Sequence, residues 1–202
     1  MPARVAYALL TLTLCAAAAL IGVALAARGD GDGAVAAVGP TGFAGAVRPP
    51  GAAAPAFRLR DADGRVVRMA DFRGRPIVVT FIYSHCEDTC PGQVQTIRGA
   101  LDDLGRDVPV LGISVDPAND TAASAKRFVN EQRMTGRMRF VLGSERALAP
   151  IWRAYGIAPQ RGQLDHSAYV VLVDGRGRQR VGFPHSVLTD ADLAHDLRRL
   201  GA

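Results

Sequence analysis

Cysteine and lysine are nearly missing from this chain. Three cysteines in 202 residues are too few for a disulfide scaffold, so a hydrophobic core must hold the fold. Lys126 is the only lysine, and the net charge of +5 therefore comes almost wholly from arginine. Those arginines are scattered, with no long basic run and no aromatic ladder beside them, which argues against a nucleic-acid site. No internal repeat is visible. With 49% apolar and 21% charged residues, the composition is that of one globular domain plus an appendage.

The appendage is N-terminal. Val5 to Ala27 is uncharged and almost wholly apolar, flanked by Arg4 and Arg28. As a helix it would extend about 34 Å, enough to cross a hydrocarbon layer of about 30 Å. Residues 1–28 are read as a membrane anchor, with a signal segment cleaved near Ala24-Leu25-Ala26 as the alternative. Cys15 is a poor lipidation site, because Leu14 is bulky. Arg4 before the span and Asp30 and Asp32 after it put the rest outside the cytoplasm, where a thiol pair can oxidise or meet metal. Residues 29–55, rich in Gly, Ala and Pro, read as a flexible tether, and 56–202 as the folded domain.

Inside the domain the chain is organised around Arg75 to Gly92, RPIVVTFIYSHCEDTCPG. Ile77 to Tyr83 reads as a strand buried on both faces. It delivers Cys86 and Cys90 to the entrance of a helix expected over Pro91 to Leu104, where the dipole favours thiolate. Before it, Phe57–Arg60 and Arg65–Met69 form a hairpin around Asp61-Ala62-Asp63-Gly64. After it come a strand over Val108–Val115, a helix capped by Asp120 or Thr121, and a strand over Met138–Leu142. A helix over Ser144–Tyr155, interrupted or restarted at Pro150, follows. A strand over His166–Val173, a hairpin turn at Gly175–Gly177 into Gln179–Phe183, and a helix over Thr189–Leu200 complete the chain. Strand-helix-strand units require a parallel centre, and the hairpins add antiparallel strands. An α/β fold with a mixed sheet covered by helices is expected.

Cys86 and Cys90 stand at i and i+4, so both sulfurs can point to one spot. Two soft thiolates suit copper(I) or zinc, a redox pair is also open, and a structural disulfide or two buried thiols is the plain alternative. His166 is the best third ligand, although a histidine at a strand end is more often a polar surface residue. His85 should aim away from the thiols; His185 and His195 read as loop and surface-helix residues. Glu87 and Asp88 form a solvated acidic loop or steer a cation. Asp116 and Asp120 read as a strand end and a helix cap, and Trp152 as core.

The strings FIYSHCEDTCPGQ, GISVDPANDT and DHSAYVVLVDGRG, in this order, closely resemble the SCO/SenC family of membrane-anchored copper proteins. The resemblance runs from about Phe57 to Leu200. It implies a thioredoxin-like fold, and one copper ion held by Cys86, Cys90 and His166. It also implies delivery of copper to, or reduction of the cysteines of, the CuA centre of cytochrome c oxidase. The implied partners are the subunit carrying that centre and other copper chaperones or thiol reductants. One departure stands out: Glu87 occupies a position where the family usually has proline. The competing expectation is a thiol-disulfide oxidoreductase, in which Cys86 and Cys90 are the redox-active pair. Such enzymes normally carry Trp-Cys-x-x-Cys and a proline facing the thiols, whereas no tryptophan precedes Cys86 here and His166 stands at the strand entrance.

Overall fold

The computed structural model describes residues 41–160 and 168–202. Among these residues no helix is long and apolar enough to cross a membrane. The expected anchor, the tether up to residue 40 and the strand start at His166 lie outside the described residues.

Eight strands form one mixed sheet: β1 (Ala46–Val47), β2 (Arg58–Asp61), β3 (Val66–Arg68), β4 (Ile77–Ile82), β5 (Val110–Ser114), β6 (Met138–Leu142), β7 (Tyr169–Val173) and β8 (Gln179–Pro184). Their order across the sheet is β1-β8-β7-β4-β5-β6-β2-β3. β4, β5 and β6 run parallel, while β7 lies antiparallel to β4. Between the strands come α1 (Thr89–Leu104), α2 (Ala122–Glu131) and α3 (Glu145–Tyr155), with α4 (Asp190–Arg199) last.

β4 sits in the middle because every one of its residues is buried. Its alternation supplies both faces: Val78 and Ile82 enter one core with Val94 and Ile97 of α1, Phe128 of α2 and Leu193 and Leu197 of α4. Ile77, Val79 and Phe81 enter the other with Leu148, Ile151, Trp152 and Tyr155 of α3. Each such side chain contributes about 1.5–3 kcal/mol by leaving water. Gly112 in β5 leaves space for Ile82, whose Cδ1 would lie 2.7 Å from a β-carbon placed there.

The helix boundaries follow local chemistry. Thr121, Ser144 and Thr189 cap α2, α3 and α4 by accepting from the third residue beyond, and α1 ends on Gly105 in the left-handed conformation. Two elements depart from expectation. α3 runs unbroken through Pro150. Pro150 and Arg146, whose carbonyl loses its partner, are both exposed, so water can satisfy that oxygen while the buried face of the helix holds the rest. The second departure is residues 41–55, expected as tether but packed on the domain. Ala44 and Gly45 donate their N–H groups to the buried Asp196 carboxylate at 2.8 and 3.0 Å. Ala46–Val47 pairs with β8, and Arg48 reaches the Tyr155 carbonyl at 3.1 Å. At Gly45 a β-carbon would lie 2.5 Å from Val181 Cγ1. The small residues that resemble a linker are here what permits close approach.

Candidate metal centre

β4 ends at Ile82, the Cys86 N–H turns back onto the Tyr83 carbonyl at 3.3 Å, and α1 begins at Thr89. Asp88, at the cap position of α1, makes no side-chain cap. The sulfur of Cys86 takes that role, accepting from the Cys90 N–H at 3.2 Å, with Thr89 Oγ1 at 3.8 Å. Cys90 is the second residue of the helix, and the missing N–H of Pro91 costs nothing in this first turn. Both cysteines are reduced and buried, at 6% and 1% exposure, while His85, Glu87 and Asp88 around them are exposed.

This geometry splits the pair electrically. The Cys90 thiol donates to Cys86, and that hydrogen bond is the main reason the Cys86 pKa falls from 9.0 to about 5. The N–H groups of Cys90 and Asp88 and the Tyr83 side chain add to it, against the cost of burial. Cys90, as the donor and the more deeply buried partner, is pushed far up. The pair holds one proton, on Cys90, and one charge, on Cys86.

The loop is fixed from below by Asp120. One carboxylate oxygen accepts from Ser84 N–H at 2.7 Å and Ser84 Oγ at 2.6 Å, and the other from Ser114 Oγ at 2.5 Å. Burial raises the Asp120 pKa and these hydrogen bonds oppose the rise. Its charge also helps to raise Cys90. Read from sequence, Asp120 was a cap candidate; the cap is Thr121, and Asp120 instead ties the β5–α2 loop to the cysteine loop. No local sequence pattern signals that link, which depends on Ser84, 36 residues away. Gln93, one turn into α1, donates to Thr80 Oγ1 and lies 3.4 Å from the Tyr169 carbonyl, which seats the helix on β4 and β7.

Among the histidines, His85 is exposed, its Nδ1 3.1 Å from Ser84 Oγ. His195 lies on α4 with Nε2 3.2 Å from the Gly42 carbonyl. His185 lies nearer the site than its sequence suggests: its Cε1 would be 3.5 Å from a β-carbon at Gly92. His166, the expected third ligand, lies outside the described residues. Among the described residues no group of three His, Cys, Asp or Glu side chains is placed to hold a metal. What is present fits a soft metal: two adjacent thiols, one already ionised, at the positive end of a helix.

The SCO1/SenC family profile matches residues 46–202. The chain belongs to the SCO1/SenC family. It is 31% identical over 134 residues to the mitochondrial SCO2 homolog of Bos taurus, a match covering 60% of this chain and 50% of that protein. The chain thus spans about half the length of this relative. Chloroplastic peroxiredoxin Q of Oryza sativa is 38% identical over 85 residues, covering 42% of this chain and 37% of that one. Among solved structures, copper-bound ScoI of Bradyrhizobium japonicum superposes with a TM-score of 0.62 at 28% identity, covering 73% of this chain and 99% of that one. The α/β architecture of this SCO1/SenC domain, a mixed sheet with flanking helices, is thioredoxin-like.

Proposed function

We propose that this protein is an extracytoplasmic copper-binding metallochaperone that assists assembly of the CuA centre of cytochrome c oxidase. Copper is its cargo, and Cys86, Cys90 and His166 are the ligands. The observation that carries the reading is the pair of buried sulfurs at the head of α1, where the Cys90 N–H and thiol both turn toward Cys86, lowering its pKa and raising that of Cys90. Once Cys90 loses its thiol proton, the chain presents two thiolates with the soft character copper(I) prefers, and the His166 imidazole completes a three-donor set. The copper-bound state of the Bradyrhizobium relative supports the same cargo here.

Both sulfurs are buried, so a recipient must approach over the exposed residues His85, Glu87 and Asp88. Its two thiols then replace Cys86 and Cys90 one at a time and give up two protons, one passing to Cys90 and one to solvent. With both sulfurs released, the Cys90 thiol again donates to Cys86. Residues 1–28 would anchor the domain to the membrane that holds the oxidase.

A second reading has its own support in the same split pair. Cys86 as thiolate attacks a partner disulfide, forming a mixed disulfide and releasing one partner thiolate. Cys90 then loses its proton and attacks Cys86 sulfur, which frees the second partner thiol and leaves a Cys86–Cys90 disulfide. The partner gains two electrons and the pair loses two. The likeness to a peroxiredoxin over 85 residues fits a redox role.

Copper content and thiol state, measured together on the reduced protein offered copper(I), separate the two. One copper per chain, lost in Cys86→Ser and Cys90→Ser and weakened in His166→Ala, is the expected result. No retained copper, with a Cys86–Cys90 disulfide that exchanges readily with dithiols, would replace the chaperone reading by the oxidoreductase one.

A further inference from the structure

The two ends of the sheet differ in charge. β4, β5, β6 and β8 all point the same way, so their C-terminal ends form one pole, where Cys86 lies, and their N-terminal ends the other. All four helices begin at the cysteine pole. That pole exposes Glu87, Asp88, Glu145 and Asp190, offset in part by Arg58, Arg68 and Arg146. The opposite pole exposes Arg73 and Arg75 before β4, Arg106 before β5, Arg176 and Arg178 in the β7–β8 turn, and Arg199 at the end of α4.

Three carboxylates near these arginines are already engaged: Asp174 pairs with Arg180 at 3.1 Å, and Asp107 and Asp102 each with Arg137 at 2.7 Å. Arg73 donates to the Arg176 carbonyl, which joins the turn before β4 to the β7–β8 turn. A cavity of about 410 Å³ opens beside them, lined by Gly74, Gly175, Arg176, Arg180 and Arg199. The first described residue is at the same pole, since the Thr41 carbonyl accepts from Arg199 at 3.4 Å.

We propose that this arginine pole docks on an anionic phospholipid surface, with the cysteine pole turned away from it. Guanidinium groups match phosphate in shape as well as charge, and the six exposed cations named at this pole are all arginine. The cysteine pole mixes its carboxylates with Arg58, Arg68 and Arg146 and offers no comparable arginine cluster. The chain upstream of Thr41 carries the uncharged apolar segment Val5–Ala27, which favours a bilayer over other polyanions as occupant. The proposal does not depend on what the thiols carry.

Residues 35–202 form one compact unit and the family profile begins at residue 46, so a chain of residues 35–202 is the material to test. The experiment is flotation with phosphatidylcholine vesicles, with and without phosphatidylglycerol. Binding is expected only with phosphatidylglycerol, and should be lost between about 0.1 and 0.5 M salt. The combined Arg73→Ser, Arg176→Ser, Arg178→Ser variant should partition at least about tenfold less. A control variant, Arg58→Ser, Arg60→Ser, Arg68→Ser, loses the same charge from the exposed β2–β3 hairpin and should stay within about threefold of wild type. Hydrogen exchange on the vesicle-bound wild type should show protection at residues 73–75 and 174–178 and none at 84–90. Equal binding to both vesicle types overturns the proposal. So do equal losses in the two variants, which would make net charge the whole cause, and protection at the cysteine pole.

Discussion

Replacing Cys90 by alanine removes the donor that does most to keep Cys86 ionised, and the consequence can be worked out before the experiment. With its pKa near 5, Cys86 is roughly 99% thiolate at pH 7, against about 1% for a thiol of pKa 9.0. The rate of alkylation at neutral pH is a poor readout, because nucleophilicity falls with pKa and offsets much of the gain in thiolate. The midpoint is the better one. Ultraviolet thiolate absorbance of the reduced, metal-free protein should titrate near pH 5 in wild type. In Cys90→Ala it should shift upward by at least about one unit, and in Cys90→Ser by less, because the hydroxyl still donates. Stability follows with a definite sign. Cys86 has a folded pKa below its unfolded one, so its contribution is full above about pH 9, shrinks as pH falls, and is gone below about pH 5. The slope is about 1.4 kcal/mol per pH unit, leaving about 3 kcal/mol at pH 7. Cys90, shifted the other way, costs stability above about pH 9. Urea unfolding of wild type against Cys86→Ser across this range isolates the term. A wild-type midpoint near pH 9, or one unmoved in Cys90→Ala, would refute the reasoning.

Further outcomes follow from other parts of the site and core. Asp120→Asn loses one acceptor for the Ser84 and Ser114 donors and should destabilise by about 1–3 kcal/mol in urea unfolding. It should also ease deprotonation of Cys90 by removing a neighbouring charge; an unchanged protein on both counts would leave Asp120 without the role given to it. Trp152→Phe strips the Ser114 carbonyl of its 2.9 Å donor and should cost about 1–2 kcal/mol by thermal unfolding. Arg139→Met leaves the buried Asp61 carboxylate without its 2.8 Å partner and should cost about 3 kcal/mol, with a loss below 1 kcal/mol counting against that pair.

Much of the domain is dictated by nearest-neighbour chemistry, and that is the part legible in the sequence. The apolar run Ile77–Ile82 could only be a central strand, Met138–Leu142 forms where its composition places it, and Thr121 and Thr189 cap the helices that follow them. The placement of Cys86 and Cys90 at a strand-to-helix junction was likewise legible, and the Cys90 N–H meets the Cys86 sulfur there. Tertiary structure decided what depends on partners distant in the chain. Residues 41–55 read as a linker because Gly and Ala carry no periodic signal, yet Asp196, about 150 positions away, collects two of their N–H groups. Pro150 stays in α3 because of the face on which it falls, a matter of burial. Asp120 shares its hydrogen bonds with Ser84, 36 residues earlier, through the side-by-side pairing of β4 and β5. The division of charge between the two cysteines arises in the same way, since a sequence supplies two equal thiols and only their placement decides which one donates.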